Sequence, residues 1–339
     1  MPSSTDNRKF YLSLLKALAC LSVVFLHTYY ASLPAYEPMG TSYIVAKTVR
    51  NLMMAGVPCF VMATGELLLD PNRIISFKRL FEKYILRALV LLIAFTGINL
   101  AFDCLTTDAG FSVKEYFIKL IGDGSWSHMW YLYLLLAIYL TLPLFKLVTE
   151  NADRKTILFI LGVFAVFMSV IPTVKVFFPE VNIAFYIPVT TVYPLYLLLG
   201  YARSRGFIKL PGWAWAAIFI TSSAAVGALS VYGIRSGRNM PVDTYASVLI
   251  VLQACSFYQL ISYVGKPAGK GIVSCINKIS DCTMGIYLIH MILLKTLFVV
   301  IGFKPQGTVI LIPVALGIFA VSFIITFILK LIPGVKRFI

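Results

Sequence analysis

Charged residues are scarce in this sequence: only 13% of its 339 residues are Asp, Glu, Lys or Arg, whereas 60% are hydrophobic. About a quarter of the residues in an ordinary soluble domain are charged. A soluble fold of this composition would leave much apolar surface in water, so the composition argues against one. Runs of about 20 apolar residues, the length with which a helix crosses a bilayer, recur along the whole chain. We therefore predict an all-α bundle that is a polytopic integral membrane protein.

Paired cysteines are also missing. The six cysteines include no CxxC pair and lie mostly within apolar runs, so we expect neither a disulfide framework nor a metal site. Acidic residues number 14 against 29 basic ones, but the basic residues are scattered over short loops, which argues against nucleic-acid binding. The first apolar run is long and lacks a small-residue cleavage site, so we expect it to remain as the first membrane helix.

The apolar runs predict about ten transmembrane helices within one membrane domain that covers residues 1–339. Most of the Lys and Arg residues fall on the inner side if the N-terminus is inside, which is the distribution that short cytoplasmic loops have. We therefore expect both termini in the cytoplasm and the chain in the inner or plasma membrane. The longest predicted connection, about residues 104–127, lies outside and is long enough to line a substrate cleft. The predicted helices cover residues 11–31, 51–69, 84–103, 129–148, 156–172, 183–201, 213–232, 245–263, 282–301 and 308–331.

The three histidines of the chain all lie within or at the ends of apolar helices: His27, His128 and His290. Ionisable groups are costly inside a bilayer, so each is a candidate functional residue. The alternative for any one of them is a hydrogen bond that packs two helices together. For His290, in the middle of its helix, the two interpretations stay equally open.

Lys16 and His27 share one face of the first helix, because 11 residues at about 100° each make three turns plus about 20°. They lie about 16 Å apart along the helix axis. A cytoplasmic donor with an anionic head and a long flexible arm, such as acyl-CoA, fits this arrangement. The alternative is an ion pair between Lys16 and Glu66, which has a similar depth on the second helix. Depth makes Asp103 or Asp123 a better candidate than Glu66 for the carboxylate that orients His27.

Three basic residues, Arg79, Lys83 and Arg87, follow the second helix at spacings of four, which places them on one helical face. Such a row suits phosphate groups, because arginine offers a rigid fork of donors. An ordinary positively charged cytoplasmic loop explains the same residues equally well.

Aromatic residues surround His128 at the start of the fourth predicted helix. Trp126, Trp130 and Tyr131 are typical of the belt that membrane proteins place at the interface with water. The same rings are able to stack on sugars. We therefore consider them candidates for acceptor binding.

Four stretches, taken in order, resemble motifs of the integral-membrane acyltransferase 3 family. In the first, Lys16 is followed after ten residues by His27. The others are residues 56–65, with Val-Pro near the start and Thr-Gly at the end, the His-Met-Trp-Tyr run that opens at His128, and residues 285–290, which end at His290. Ser13 departs from the family pattern, which often has Asp there, so any role of that Asp must be filled elsewhere.

The resemblance implies a membrane O-acyltransferase, an enzyme that transfers groups other than aminoacyl groups. The donor is cytoplasmic acyl-CoA, most simply acetyl-CoA, and the acceptor is a hydroxyl of a lipid-linked or surface polysaccharide, a glycolipid or a related envelope molecule. No tightly bound cofactor and no metal are expected, and the oligomeric state stays open. In size and layout the chain is similar to the compact type that O-acetylates enterobacterial common antigen.

On this basis we expect His27 to act as general base or as transient acyl carrier, and the sequence leaves both open. His128 would position the acceptor or stabilise developing charge. The donor phosphates would be bound by Lys16, Arg79 and Arg87. The acceptor would be contacted by Trp126, Trp130, Tyr131, Glu66 and His290. Two other classes remain: an exporter of polysaccharide or small molecules with polar residues along its path, and a binding or sensory membrane module without catalysis.

Overall fold

The computed structural model describes residues 4–107, 110, 112–122, 125–180, 189–265, 267 and 269–339, and of residues 4–9 the backbone alone. These residues form helices joined by short loops, and the described part contains no β-strand. The α-helices in chain order are α1 Ser4–Ser32, α2 Thr41–Leu52, α3 Gly56–Leu68, α4 Phe77–Leu80, α5 Leu86–Thr106, α6 Val113–Ile121, α7 Trp130–Asn151, α8 Arg154–Ala165, α9 Ile171–Phe177, α10 Tyr193–Ser204, α11 Gly212–Ser236, α12 Val248–Ser262, α13 Lys270–Lys295, α14 Leu311–Leu329 and α15 Pro333–Lys336.

Eight helical segments in the described residues are long and apolar enough to cross a membrane. Some are composite, because short 3-10 or π turns join consecutive helices without a break: α2 and α3 form one segment over Thr41–Leu68, and α8 and α9 form another over Arg154–Phe177. The prediction of an all-α polytopic membrane bundle is confirmed. The total of ten stays a prediction, since it depends on the shorter helices α10 and α12 and on residues 181–188, which lie outside the described part.

Helices α1 and α13 run parallel and in register. The Cys20 thiol lies 3.7 Å from the carbonyl oxygen of Thr283, and seven residues later on both helices His27 meets His290. We call the side of the bundle at which α1 and α13 begin the N-terminal face, and the side at which α1 ends and α2 begins the distal face. The two histidines therefore lie in the distal half of the bundle.

Helices α3 and α10 cross at unusually short range because each has glycine at the contact. A Cβ atom on Gly65 would lie 1.9 Å from the carbonyl oxygen of Leu197, and one on Gly200 would lie 1.9 Å from that of Met62. Small residues let membrane helices approach closely in this way. Both helices end at the N-terminal face, where Glu66 and Arg203 meet.

Two predicted boundaries are wrong for one physical reason. The helix predicted at 51–69 begins at Thr41, and the one predicted at 282–301 begins at Lys270. Both missing parts are helical but carry charged side chains, among them Lys47, Arg50 and Lys278. Apolar run length therefore failed to detect them, although an amphipathic helix is stable when its apolar stripe packs on neighbours.

The predicted external connection at 104–127 is partly helical. Ser112 caps α6, accepting a hydrogen bond from the main-chain N–H of Glu115 at 3.4 Å. Two tyrosines attach α6 to its neighbours: Tyr116 donates to the carbonyl of Ile93 at 3.0 Å, and Tyr133 donates to that of Leu120 at 2.6 Å. The helix thus packs against α5 and the beginning of α7.

Candidate active site

The three histidines of the chain lie together. The ring centroids of His27 and His290 are 5.1 Å apart, those of His128 and His290 are 5.8 Å apart, and those of His27 and His128 are 6.5 Å apart. His27 comes from α1, His290 from α13, and His128 from the turn that precedes α7. His128 and His290 are completely buried, while His27 is half-buried. Residues 263 positions apart in sequence thus form one cluster.

Hydrogen bonds assign the proton positions of the neutral His27–His290 pair. Nδ1 of His290 lies 3.1 Å from the carbonyl oxygen of Ile286, which only accepts, so Nδ1 carries the proton. Nε2 of His290 is then an acceptor, and Nδ1 of His27, 3.0 Å away, must donate to it. The lone pair of His27 is consequently on Nε2, which has no hydrogen-bond partner among the described residues.

His128 is held by its backbone while its ring is unpaired. The Tyr287 hydroxyl on α13 donates to the main-chain carbonyl of His128, and the Tyr287 ring lies 5.5 Å from the imidazole. Neither ring nitrogen of His128 has a hydrogen-bond partner in the described residues, although both are buried. Buried polar atoms without partners are costly and rare. The ring is therefore suited to bind a ligand that brings its own hydrogen-bonding groups.

The structure does not bring Asp103 to His27. Asp103 instead accepts hydrogen bonds from the Trp126 indole at 2.9 Å and from the Lys295 ammonium, also at 2.9 Å. The same ammonium lies 3.9 Å from the centre of the Trp126 ring. Asp103 is thus occupied by two donors, and the hypothesis that it orients His27 is wrong. The other candidate, Asp123, lies outside the described residues.

A cavity of about 290 Å³ opens from the N-terminal face toward the histidines. Lys16, Lys83 and Arg87 supply positive charge, with Asp281 as the opposing carboxylate. Its distal end includes Tyr131, whose ring lies 5.4 Å from that of Tyr287. Because Tyr287 packs on His128, the Tyr131 and Tyr287 rings separate the cavity from the cluster. Its other lining residues are Phe60, Ala63, Thr64, Leu67, Tyr84, Ala88, Leu91, Leu135, Tyr139, Ser280, Thr283 and Met284.

A second, wider cavity of about 460 Å³ lies beside the first at the N-terminal face. Lys83 and Arg87 line both cavities, whereas Arg79 lines only the wider one, with Lys78 and Arg337. All three residues of the predicted row therefore line the wider cavity, and two of them, Lys83 and Arg87, also line the narrower one. Arg87 is fixed by a hydrogen bond of 2.6 Å from Nε to the carbonyl of Phe338.

Glu66 lies in a buried network, and the alternative of a Lys16–Glu66 ion pair is wrong. Its carboxylate accepts from the Arg203 guanidinium at 2.6 Å, from the Tyr258 hydroxyl at 2.9 Å and from the Tyr11 hydroxyl. These partners come from α10, α12 and α1, so the network links four helices near the N-terminal face. Its predicted role in acceptor binding is untested, but Glu66 does not line the cavity that contains Lys16.

The predicted aromatic residues separate into different surroundings. Trp126 is buried beside Asp103, and Tyr131 packs between Phe60 and Tyr287. Trp130 instead lies within 6 Å of two tyrosine rings from other helices and loops: 5.7 Å from Tyr193 and 5.6 Å from Tyr245. The Trp130 group is the one that resembles a sugar-stacking surface, although acceptor binding by any of these residues stays a prediction.

Sequence reasoning missed several residues of this region. Tyr287 lies in the stretch that ends at His290, and its spacing of three from that histidine was a usable signal. Lys295 and Arg50 carried another signal, because a charged side chain within an apolar segment is costly and needs a partner or a function. Arg203 gave no such signal in the sequence, since it resembles any other basic residue at the cytoplasmic end of a predicted helix.

Comparison with known proteins gives relatives over most of the chain. A protein from Staphylococcus aureus strain Mu50, named a probable poly-beta-1,6-N-acetyl-D-glucosamine export protein, is 22% identical over 326 residues, covering 89% of this chain and 87% of its own length. Proteins of the same name from strains MSSA476 and MRSA252 are 22% identical over 317 residues, with the same coverage. No solved structure matches significantly. The family model described as an acyltransferase domain matches residues 9–331, and the chain belongs to this acyltransferase 3 family.

Proposed function

We propose that this protein is a membrane O-acyltransferase that moves an acyl group, most simply acetyl, from a CoA thioester to a hydroxyl of an envelope glycan or glycolipid. The observation that carries the proposal is the relation between cavity and cluster. A basic cavity at the N-terminal face ends at Tyr131, and only the Tyr131 and Tyr287 rings separate it from the cluster of His27, His128 and His290. Family membership supports the acyltransferase activity, while acetyl, CoA and the glycan are our proposals.

The donor binds from the N-terminal face, which we propose is cytoplasmic, in the inner or plasma membrane. Arg79, with Lys78 and Arg337, is available for phosphates in the wider cavity, and Lys83 and Arg87 stand where the two cavities meet. Lys16 lies deeper, in the narrower cavity, beside the path of the flexible arm. The thioester would then approach the histidines, and the charged end would stay near water.

His27 has the free lone pair that proton transfer or nucleophilic attack requires. As general base, its Nε2 takes the proton of the acceptor hydroxyl while the oxygen bonds to the thioester carbonyl carbon. The carbon–sulfur bond then breaks, and the departing thiolate recovers the proton from His27. As acyl carrier, the same Nε2 attacks the thioester carbonyl carbon, the carbon–sulfur bond breaks, and the departing thiolate takes a proton from the His27–His290 pair. The acceptor oxygen then attacks the acyl carbon, the carbon–nitrogen bond breaks, and the acceptor proton returns to the pair. An N–H of the His128 ring is available to donate to the oxyanion in either route.

The test uses purified protein in detergent with radiolabelled acetyl-CoA, with and without glycolipid extracts. We expect label to enter a lipid or glycan with the wild type and with Asn151→Ala, a control at an exposed position on α7. His27→Ala should abolish this transfer while the purified protein retains its thermal unfolding transition. Transfer by folded His27→Ala protein would overturn the assignment of His27.

A second function, export, is supported by one observation: the relatives covering most of this chain are named probable export proteins. Polar residues inside a helix bundle also line translocation paths. The assay above discriminates between the two, because detergent solution has no two compartments between which a polymer is moved. Acyl transfer in detergent favours the enzyme, and polymer movement into proteoliposomes without acyl transfer favours the exporter.

A further inference from the structure

Arg50, near the end of α2, is held in place by uncharged neighbours. Its Nη1 donates to the side-chain oxygen of Asn51 at 2.7 Å. The amide of Asn51, which is buried, donates in turn to the Ser230 hydroxyl at 3.0 Å, and Ser230 is fixed to the carbonyl of Val226 at 2.7 Å. A chain of hydrogen bonds from α11 thus fixes one end of the guanidinium.

The opposite edge of the guanidinium is unused. Nε is buried and has no hydrogen-bond partner, and Nη2 makes no hydrogen bond to any described residue. No carboxylate forms an ion pair with Arg50 within the described ranges of the chain. Nε–H and Nη2–H point the same way and form the fork with which arginine binds two oxygens of one phosphate or carboxylate. An arginine with a fixed and empty fork is prepared for an anionic ligand.

Arg50 lies close to the histidine cluster. Its guanidinium carbon is 5.7 Å from the centre of the Tyr30 ring, and Tyr30 follows His27 by three residues, which makes the two side chains neighbours on the surface of α1. Leu52 and Met53, which follow Arg50 along the chain, pack against the same apolar cluster as Tyr245. Tyr245 belongs to the aromatic group around Trp130. The empty fork therefore lies beside the surface that resembles a sugar-stacking site.

Further positive charge lies next to Arg50 at the distal face. Lys47, one turn before Arg50 on α2, lines a cavity of about 240 Å³ with Asn51 and Arg238. Asp243 is the carboxylate in that lining, so the two cations outnumber it. With Arg50 the region carries three positive charges against one negative, which favours a doubly charged phosphate over a singly charged carboxylate.

We propose that the Nε–Nη2 edge of Arg50 binds a phosphate group of the acceptor at the distal face and so places the acceptor beside His27. The acceptor class is then a phosphate-bearing glycan or glycolipid. This inference deepens the proposed acyltransferase function and rests on it for the meaning of the ligand, but the binding site itself can be tested without acyl transfer.

The test is calorimetric titration of the purified protein in detergent, without acyl-CoA, with two probes. Dodecyl phosphate represents a phosphate on a lipid, and glucose 6-phosphate represents a phosphate on a sugar. We expect the wild type to bind at least one of them, and Arg50→Gln to bind that probe about 10-fold or more weakly. The probe that binds identifies the source of the phosphate.

Arg235→Gln is the matched control, because Arg235 lies in the last turn of α11 at the same face but is exposed and outside the cavity lining. It should bind as the wild type does. Arg50→Lys keeps the charge without the fork, so its binding should also be weakened if the fork is what recognises phosphate. Equal binding by wild type and folded Arg50→Gln, or binding of dodecanoate but of neither phosphate, would overturn the proposal. Loss of acyl transfer alone would bear only on the proposed function.

Discussion

Nε2 of His290 lies 3.0 Å from Nδ1 of His27, and the other nitrogen of His290 is hydrogen-bonded to a main-chain carbonyl. His290 therefore orients His27 as a carboxylate orients histidine in many hydrolases, but without adding a charge to the membrane interior. The partner of His27 comes from a helix more than 260 residues away in sequence. The geometry makes His290 a positioning residue.

Replacing His290 should reduce turnover without weakening the binding of the donor. We expect His290→Leu to lower kcat by about 10²- to 10⁴-fold, because His27 loses its fixed tautomer and orientation. His290→Gln should retain more activity, since its side-chain oxygen can accept the proton of His27 Nδ1. Steady-state kinetics with labelled acyl-CoA would show the effect in kcat and leave the KM of the donor unchanged. Equal loss in both variants would indicate a packing role only.

The Glu66–Arg203 ion pair should be a determinant of stability. Removing one partner of a buried pair leaves an unpaired charge, so we expect Arg203→Met to lower the free energy of unfolding by roughly 3–5 kcal/mol. Glu150→Gln, which removes the exposed partner of the Lys146–Glu150 pair on α7, should cost less than about 1 kcal/mol. Thermal unfolding in the same detergent would measure both variants. A similar Tm for Arg203→Met and the wild type would contradict the prediction.

A methyl group at Gly65 should separate α3 from α10. The added carbon would lie 1.9 Å from a main-chain oxygen, which cannot rotate away as a side chain can, so Gly65→Ala should destabilise the fold by about 1–3 kcal/mol or more. Gly162→Ala on α8 is the control, because no atom lies within 4 Å of the added carbon. It should be neutral or slightly stabilising, since alanine favours helix. Unfolding temperatures that order the two variants the other way would refute this account.

Arg87 and Arg79 should contribute unequally to donor binding. Arg87 lines both cavities and is half-buried, whereas Arg79 is exposed. We expect Arg87→Gln to raise the Kd for CoA by about 10- to 100-fold, and Arg79→Gln to raise it less, with an effect that salt reduces. Lys155→Gln, an exposed change on α8, should leave the Kd unaltered. Titration of purified protein with CoA would measure all three, and an equal Kd for wild type and Arg87→Gln would contradict the donor site.

Much of the fold was predictable because lipid imposes one strong rule: segments that cross it must be long, apolar and helical. That rule found α1, α5, α7 and α14. It failed where helices carry charge, as in α2 and the beginning of α13, because their stability depends on packing that one sequence does not reveal.

The residues of the candidate site were predictable one by one, but the contacts between them were not. The energetic cost of an ionisable group in the membrane singled out the three histidines. Helical depth, however, suggested pairs that the structure does not form, because Asp103 pairs with Lys295 and Glu66 pairs with Arg203. Depth orders side chains along the membrane normal only. Features such as the glycine contact between α3 and α10 decide which helices are neighbours within the bundle. Local sequence does not predict these contacts.

That glycine contact also bears on how the molecule can move. Backbone touches backbone at two levels between α3 and α10, so neither helix can slide or roll past the other without collision. Ala63, Thr64 and Leu67 of α3 line the cavity of about 290 Å³, which therefore has one wall of fixed shape. We expect any hinge that opens this bundle, for an acyl group or for a polymer, to lie among the other helices that line the cavity: α1, α5, α7 and α13.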